Sequence, residues 1–199
     1  MCIRDSYYVR HGLTDWNIEG RLQGGRDTPL NDRGRAQAAQ CAGILRDLFA
    51  REGRSPDDFH YVSSPLVRAS ETMEIVRKAL GLPVEDYARE PRLVEIAFGD
   101  WEGLTYLDIV KRDRTIVDAR EHRKWGFRPP GGETYGDVAR RVGAWHATLD
   151  RDTVVTAHGG TGRALVAYLG VAPPEEAAHQ PVEQGCVYVF AGHAMTRYA

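Results

Sequence analysis

Tyr7-Tyr8-Val9-Arg10-His11-Gly12 opens with three bulky, strand-forming residues and stops at a charged pair. Aromatic and β-branched side chains suit a pleated, buried surface, so Tyr7 to Val9 is expected to form a short buried strand. Arg10 and His11 then stand at its carboxyl end, where an imidazole sits beside a fixed positive charge. That pairing suits phosphoryl chemistry, in which a protein chiefly positions the phosphate and neutralises its oxygens. The tripeptide Arg10-His11-Gly12 is too short to be specific alone. Its weight depends on what the rest of the chain supplies.

Outward from there, Gly12 to Pro29 reads as a long loop, and such a segment in a compact domain is usually functional. A helix is expected after Asn31, because Ala38, Cys41, Ala42, Leu45, Leu48 and Phe49 fall on one helical face. Phe59 to Val62 predicts a second strand. Ser64-Pro65 predicts an N-cap followed by proline at the first helical position. Leu66, Ala69, Met73, Val76 and Leu80 continue that helix until Gly81 and Pro83 end it. Leu93 to Trp101 reads as irregular strand and turn, 105–123 as a weakly amphipathic helix, and 129–132 as a turn. Thr134 with Asp137 resembles a capping box, opening a helix with Val138, Val142, Trp145 and Leu149 on one face. Thr153 to Thr156 is a third core strand. Gly159-Gly160 leads into a short helix that Gly170 stops, and Val187 to Phe190 with Thr196 to Tyr198 predict a hairpin around Gly192.

Strands alternating with helices predict an α/β fold: a three-layer sandwich whose mainly parallel sheet carries helices on both faces. Ligands of such sheets bind beyond the carboxyl ends of the strands. Arg10 and His11 follow the first strand, Arg68 sits in the first turn after the second, and His158 follows the third. Parallel strands would bring these basic groups together.

The 199 residues suffice for one domain. A net charge of −2 gives no global field to attract nucleic acid or an anionic membrane, and no apolar run approaches the ~20 residues of a membrane span. Cys2, Cys41 and Cys186 are scattered without metal-ligand spacing, so a reducing cytoplasm is the expected setting. Met1-Cys2-Ile3-Arg4-Asp5-Ser6 matches the translation of a transposon adapter end. Residues 1–6 are therefore expected to be non-native, ahead of a single domain over 7–199.

Four blocks carry a resemblance: Val9-Arg10-His11-Gly12-Leu13-Thr14-Asp15-Trp16-Asn17, Ser63-Ser64-Pro65-Leu66-Val67-Arg68-Ala69, Leu93 to Gly103, and Ala157-His158-Gly159-Gly160. In this order they resemble the histidine phosphatase superfamily, the branch that includes phosphoglycerate mutases. Leu13 departs from the pattern, since many members have Glu there. The resemblance implies a phosphoglycerate mutase-like fold and a set of roles. His11 is the expected nucleophile, forming a phosphohistidine. Arg10 and Arg68 are expected to hold the phosphoryl oxygens, because guanidinium forks match phosphate geometry. His158 is expected to give those oxygens a hydrogen bond or a positive charge, a nearby dianion favouring its charged form.

Glu95 is the expected general acid, with Asp100 and Glu102 as rivals. Thr14, Asn17, Gln23 and Gly24 are expected to line the phosphate pocket, with backbone donors from Gly12 and Gly159. Trp125 and Phe127 either touch the non-phosphate part of a substrate or pack into the core. Lys111, Arg112, Arg114, Arg120, Arg123 and Lys124 suit either an anion site or a solvated helix.

No cofactor and no metal are expected, since two arginines beside His11 and His158 would repel a cation. A P-loop pattern is absent. The expected function is a metal-independent phosphatase acting on small phosphomonoesters. The alternatives are a 2,3-bisphosphoglycerate-dependent phosphoglycerate mutase and a phospholigand-binding protein without turnover. Oligomeric state is not legible in the sequence.

Overall fold

Successive residues of the first strand face opposite ways, and the layers follow from that alternation. The structure is a computed structural model that describes residues 4–199. Its strands are β1 (Ser6–Arg10), β2 (His60–Ser63), β3 (Ala88–Arg89), β4 (Thr153–Ala157), β5 (Val187–Ala191) and β6 (Ala194–Tyr198). Its helices are α1 (Asp15–Ile18), α2 (Asp32–Arg51), α3 (Val67–Ala79), α4 (Tyr106–Arg112), α5 (Arg114–His122), α6 (Tyr135–His146), α7 (Gly159–Tyr168) and α8 (Pro174–Ala177). One sheet runs in the order β3-β2-β4-β1-β5-β6. The neighbours β3-β2, β2-β4 and β4-β1 are parallel, while β1-β5 and β5-β6 are antiparallel.

Tyr7, Val9, Tyr61, Val154 and Val187 face α2 and α3, where they meet Leu45, Phe49, Met73 and Val76. Tyr8, Val62, Val155, Tyr188 and Phe190 face the other way, against Val138, Val142 and Trp145 of α6 and Leu165 of α7. Because both faces are covered, β1 and β4 are buried along nearly their whole length rather than on alternate residues. Each fully buried Leu or Val there contributes about 1.5–3 kcal/mol over its exposed state. A third, smaller cluster of Trp101, Ile109 and Val117 holds α4 and α5 together as a flap, with Leu22, Phe98 and Phe127 packed on it.

Five expectations needed correction. First, β1 runs one residue further at each end than Tyr7–Val9. Ser6 pairs with both Thr153 and Phe190, and the Asp5 N–H donates to Asp152 Oδ1 at 3.0 Å. Met1 to Ile3 of the expected adapter segment lie outside the described residues. Second, the loop after Gly12 contains α1, opened by a reciprocal cap between Thr14 and Asn17. Third, Ser64 does not cap α3. The Val67 N–H instead donates to Asp27 Oδ1, 40 residues away, at 2.6 Å. Fourth, the helix expected over 105–123 is two helices. Asp113 breaks it in an extended conformation and caps α5 with its own side chain. Fifth, Leu93 to Trp101 holds no strand, only single helical turns at Pro91–Leu93 and Gly99–Trp101 with irregular chain between, and the edge strand β3 and the short α8 were not foreseen. The capping box of Thr134 and Asp137 opens α6, and Gly192 turns the β5-β6 hairpin with φ +61°.

Candidate active site

β2, β4 and β1 are adjacent and parallel, so their carboxyl ends lie side by side. The ladder continues past them. The His11 N–H donates to Ala157 O and the Ser64 N–H to Thr156 O, both at 2.9 Å. This register sets His11, Ser64 and His158 at one level, and α3 adds Arg68 from its first turn.

His11 is 2% exposed, and its Nδ1 lies 2.8 Å from Gly12 O. A carbonyl only accepts, so Nδ1 carries the proton and Nε2 keeps its lone pair. Burial, then Arg68 and Arg10, hold the His11 imidazole well below its usual pKa of 6.5. Burial, then Arg68, His11 and Arg10, do the same to His158. The two rings are 5.1 Å apart between centroids. The surrounding protein groups by themselves favour the neutral His158 ring, which suits the hydrogen bond that was one of the two roles expected of it. The Tyr8 hydroxyl clasps the His158 backbone, donating to its carbonyl at 2.6 Å and accepting from its N–H at 3.1 Å. His158 Nε2 lies 2.8 Å from Ser64 Oγ. A Ser64 O–H donated to Nε2 puts the ring proton on Nδ1.

Arg68 is fully buried. Its Nη1 donates to Arg26 O at 2.7 Å and its Nη2 to Gly24 O at 2.9 Å, which fixes the plane of the fork. Burial lowers its pKa to about 10, so it stays charged at neutral pH. Gly24 makes this possible: its φ is +53°, and a Cβ there would overlap the Glu102 carboxylate. Arg10 Nη1 donates to Val182 O at 2.8 Å. Arg10 Nε, Arg68 Nε and His158 Nδ1 are all buried without a partner among the described residues. Each such group costs about 1–3 kcal/mol, and Arg10 and Arg68 line one cleft together with His11.

Glu95 reaches the same cleft. Its Oε1 accepts from the N–H groups of Ile96 (2.9 Å) and Thr161 (3.2 Å), and its Oε2 accepts from Gly160 (3.2 Å). The carboxylate thus sits on the amino end of α7, where the helix dipole favours negative charge. The rivals are elsewhere. Asp100 is exposed, and Glu102 fastens the loop by accepting from the N–H groups of Gly25 and Phe98 at 3.1 Å each.

The cleft has a volume of about 260 Å³, and Asn17, Gln23, Gly24 and Gly159 line it with Arg10, His11, Arg68 and Glu95. Gly159 leaves room for Arg10 and Arg163, whose guanidiniums would lie 3.4 Å from a Cβ there. Three expected pocket residues are not among those lining it: His158, which is fully buried with its ring 5.1 Å from that of His11, Gly12 and Thr14. The Gly12 N–H is taken by Thr72 Oγ1 at 3.1 Å, and a Cβ at Gly12 would overlap the Gly34 backbone. Gly12 therefore serves the close packing of β1 on α2, not anion binding. Thr14 is fully buried and caps α1, so it acts on Asn17 rather than on a ligand. Among the described residues no three His, Cys, Asp or Glu side chains group as a metal site, and no helix is long and apolar enough to cross a membrane.

A family model of the histidine phosphatase superfamily (branch 1) matches residues 6–196. The chain belongs to that superfamily. Among histidine phosphatases and their kin, it is 33% identical over 189 residues to a 2,3-bisphosphoglycerate-dependent phosphoglycerate mutase of Beijerinckia indica subsp. indica, covering 92% of this chain and 88% of that one. It is 36% identical over 185 residues to a glucosyl-3-phosphoglycerate phosphatase of Mycolicibacterium vanbaalenii, covering 85% and 75%. The crystal structure of the α-ribazole phosphatase from Shigella flexneri superposes with a TM-score of 0.77 at 29% identity, covering 93% of this chain and 89% of that one.

The cleft also holds cations that the sequence did not single out or left unassigned. Arg21, Arg120, Lys124 and Arg163 line it, and Glu95 is the one carboxylate among the lining residues. Arg163 had a legible signal, since it stands one helical turn after Gly159 on α7. The flap charges are now sorted. Arg120 is 5% exposed and turns inward with Lys124, whereas Lys111, Arg112, Arg114 and Arg123 are exposed. Burial and the neighbouring Arg120 and Arg163 lower the Lys124 pKa to about 8. Trp125 stacks on Tyr135 and Phe127 on Trp101, so both pack into cores. Leu22, Phe98, Tyr106 and Tyr135 supply the apolar wall instead. Ser64 and Tyr8, which hold His158, were also missed. Nothing in their spacing distinguishes them from ordinary core residues.

Proposed function

We propose that this chain is a metal-independent phosphomonoesterase working through a phosphohistidine on His11, and that its substrates carry a second anionic group. One observation carries the first part. His11 presents a bare Nε2 lone pair in a cleft lined by Arg10 and Arg68, whose Nε atoms bond to no described protein group, and the buried His158 ring beside it has an equally unpartnered Nδ1. Nε2 attacks phosphorus, the bond from phosphorus to the ester oxygen breaks, and the departing alkoxide takes a proton from Glu95. Oε2, with one amide donor against two on Oε1, has the spare lone pair for that proton. Glu95 then accepts a proton from the water that attacks phosphohistidine, and phosphate leaves. Arg10 and Arg68 neutralise charge on the equatorial oxygens throughout. Their guanidiniums also disfavour a divalent cation beside His11.

The second part rests on the four further cations that line the cleft. A phosphoryl group would engage Arg10 and Arg68, which leaves Arg21, Arg120, Lys124 and Arg163 as further cations of the cleft, Arg21 being paired with Glu19 and Arg120 with Glu121. A carboxylate or second phosphate a few bonds from the ester would meet them. This same feature supports the mutase reading, in which His11 returns the phosphoryl group to a second hydroxyl. Phosphate release across a panel of phosphomonoesters tests the reading, with His11→Ala abolishing it and EDTA leaving it intact. Incubation with 3-phosphoglycerate and catalytic 2,3-bisphosphoglycerate separates the two. Free phosphate supports the hydrolase, and 2-phosphoglycerate supports the mutase.

A further inference from the structure

We infer that Gln184 is a positioning residue that fixes the amide of Asn17 so that its NH₂ group faces the phosphoryl oxygens. The inference rests on the phosphoryl-transfer reading above. It starts from a count of donors. Asn17 Oδ1 accepts from the Thr14 N–H (3.1 Å), the Thr14 hydroxyl (3.1 Å) and Gln184 Nε2 (3.0 Å). A carbonyl has two lone pairs, so three donors saturate it. The Asn17 N–H of the backbone returns to Thr14 Oγ1 at 3.2 Å. Asn17 lines the cleft, so its remaining polar group, the Nδ2 amine, is left for a ligand.

Gln184 is well placed for this task because its own segment is rigidly held. Val182 is buried, and its side chain packs at the surface of Gly162. The Glu183 N–H donates to the Tyr188 hydroxyl at 2.7 Å, and Gly185 O accepts from Gln40 at 3.1 Å. The same short stretch holds two of the cleft's cations. Val182 O accepts from Arg10 and Gln180 O from Arg163, both at 2.8 Å. Residues 180–184 thus form a strap that orients three anion-facing side chains from β1, α1 and α7. Gln184 is the one member acting through its side chain, so it can be changed without altering the strap's backbone.

The test is a double-mutant cycle read by calorimetric binding of orthovanadate and by kcat and KM for one phosphomonoester. Gln184→Glu replaces the donor with an acceptor, which sets a negative charge against Asn17 Oδ1 and turns the amine away from the cleft. A hydrogen bond to a charged acceptor corresponds to about 10- to 100-fold in affinity. Gln184→Glu is expected to weaken orthovanadate by that factor, with Gln184→Ala intermediate. In an Asn17→Ala background both changes are expected to lose their effect, whereas a merely structural strap would keep it. Wild-type affinity in Gln184→Glu, or a loss undiminished in the Asn17→Ala background, overturns the inference. Coupled vanadate binding in a wild-type protein without turnover would overturn the catalytic reading and leave the positioning role standing.

Discussion

Gly160→Ala is a test of the proton donor that leaves every ionisable group in place. A Cβ at position 160 would sit 2.5 Å from Glu95 Oε1 and 2.6 Å from Ile96 Cγ2. Ordinary contact begins at 3.4 Å, so the carboxylate must retreat by about 0.9 Å. That breaks its bonds to the Gly160 and Thr161 N–H groups, already 3.2 Å long. A misplacement near 1 Å costs ~10²-fold in rate, within the ~10²–10⁴ a positioned acid supplies. The fold should tolerate the change. Alanine gains up to about 1 kcal/mol of helix propensity over glycine, against about 1–3 kcal/mol of overpacking. The assay compares an alkyl phosphate, whose leaving group needs a proton, with nitrophenyl phosphate, whose leaving group does not. The expected result is a ~100-fold loss of kcat/KM, which reports the phosphorylation of His11 and not the later attack of water, on the alkyl ester and little change on the nitrophenyl ester, with Glu95→Gln giving the same split. Equal losses on both substrates would refute the reasoning, because Glu95 would then be supporting the phosphate site and not the proton transfer.

Further outcomes follow from the same geometry. Ser64→Ala strips the fully buried His158 ring of its Nε2 partner; it should lower stability by about 1–3 kcal/mol, measured by urea unfolding, and lower kcat/KM on an alkyl phosphate. For a substrate with a second anionic group, kcat/KM should fall above about pH 8, as Lys124 loses its charge; a pH–rate profile checks this, and Lys124→Arg should remove the decline. Folding stability should fall as the pH drops below 6.5. The unfolded chain binds protons there that buried His11 and His158 refuse, and urea midpoints from pH 7 to 5 measure the slope.

The layers of this fold were readable because burial leaves a periodic trace. Tyr7 to Val9 and Thr153 to Thr156 are short runs of aromatic and β-branched residues, and Ala38 to Phe49 keep a helical stripe, so strand and helix announce themselves locally. The site residues announced themselves differently, by basic groups at three strand exits. What stayed hidden depends on contacts between distant segments. Ser64 looked like a helix cap, but Asp27 fills that role from 40 residues away and frees Ser64 for His158. Gly12 looked like an anion donor, but Thr72 and Gly34 claim the space and the N–H. Thr14 and Asn17 lay inside an apparent loop because a four-residue helix leaves no periodicity to detect. The two inward-facing flap cations, Arg120 and Lys124, were indistinguishable from four exposed neighbours until the break at Asp113 set the orientation of α5.

The central claim is that His11 Nε2 bonds covalently to phosphorus during turnover. Quenching a single turnover of labelled substrate into alkali, then digesting and sequencing the labelled peptide, tests it most directly. The account predicts an acid-labile, alkali-stable label on His11 that forms before free phosphate appears, and no label in His11→Ala. Phosphate release at full rate without a labelled intermediate, or a label on any other residue, would contradict it.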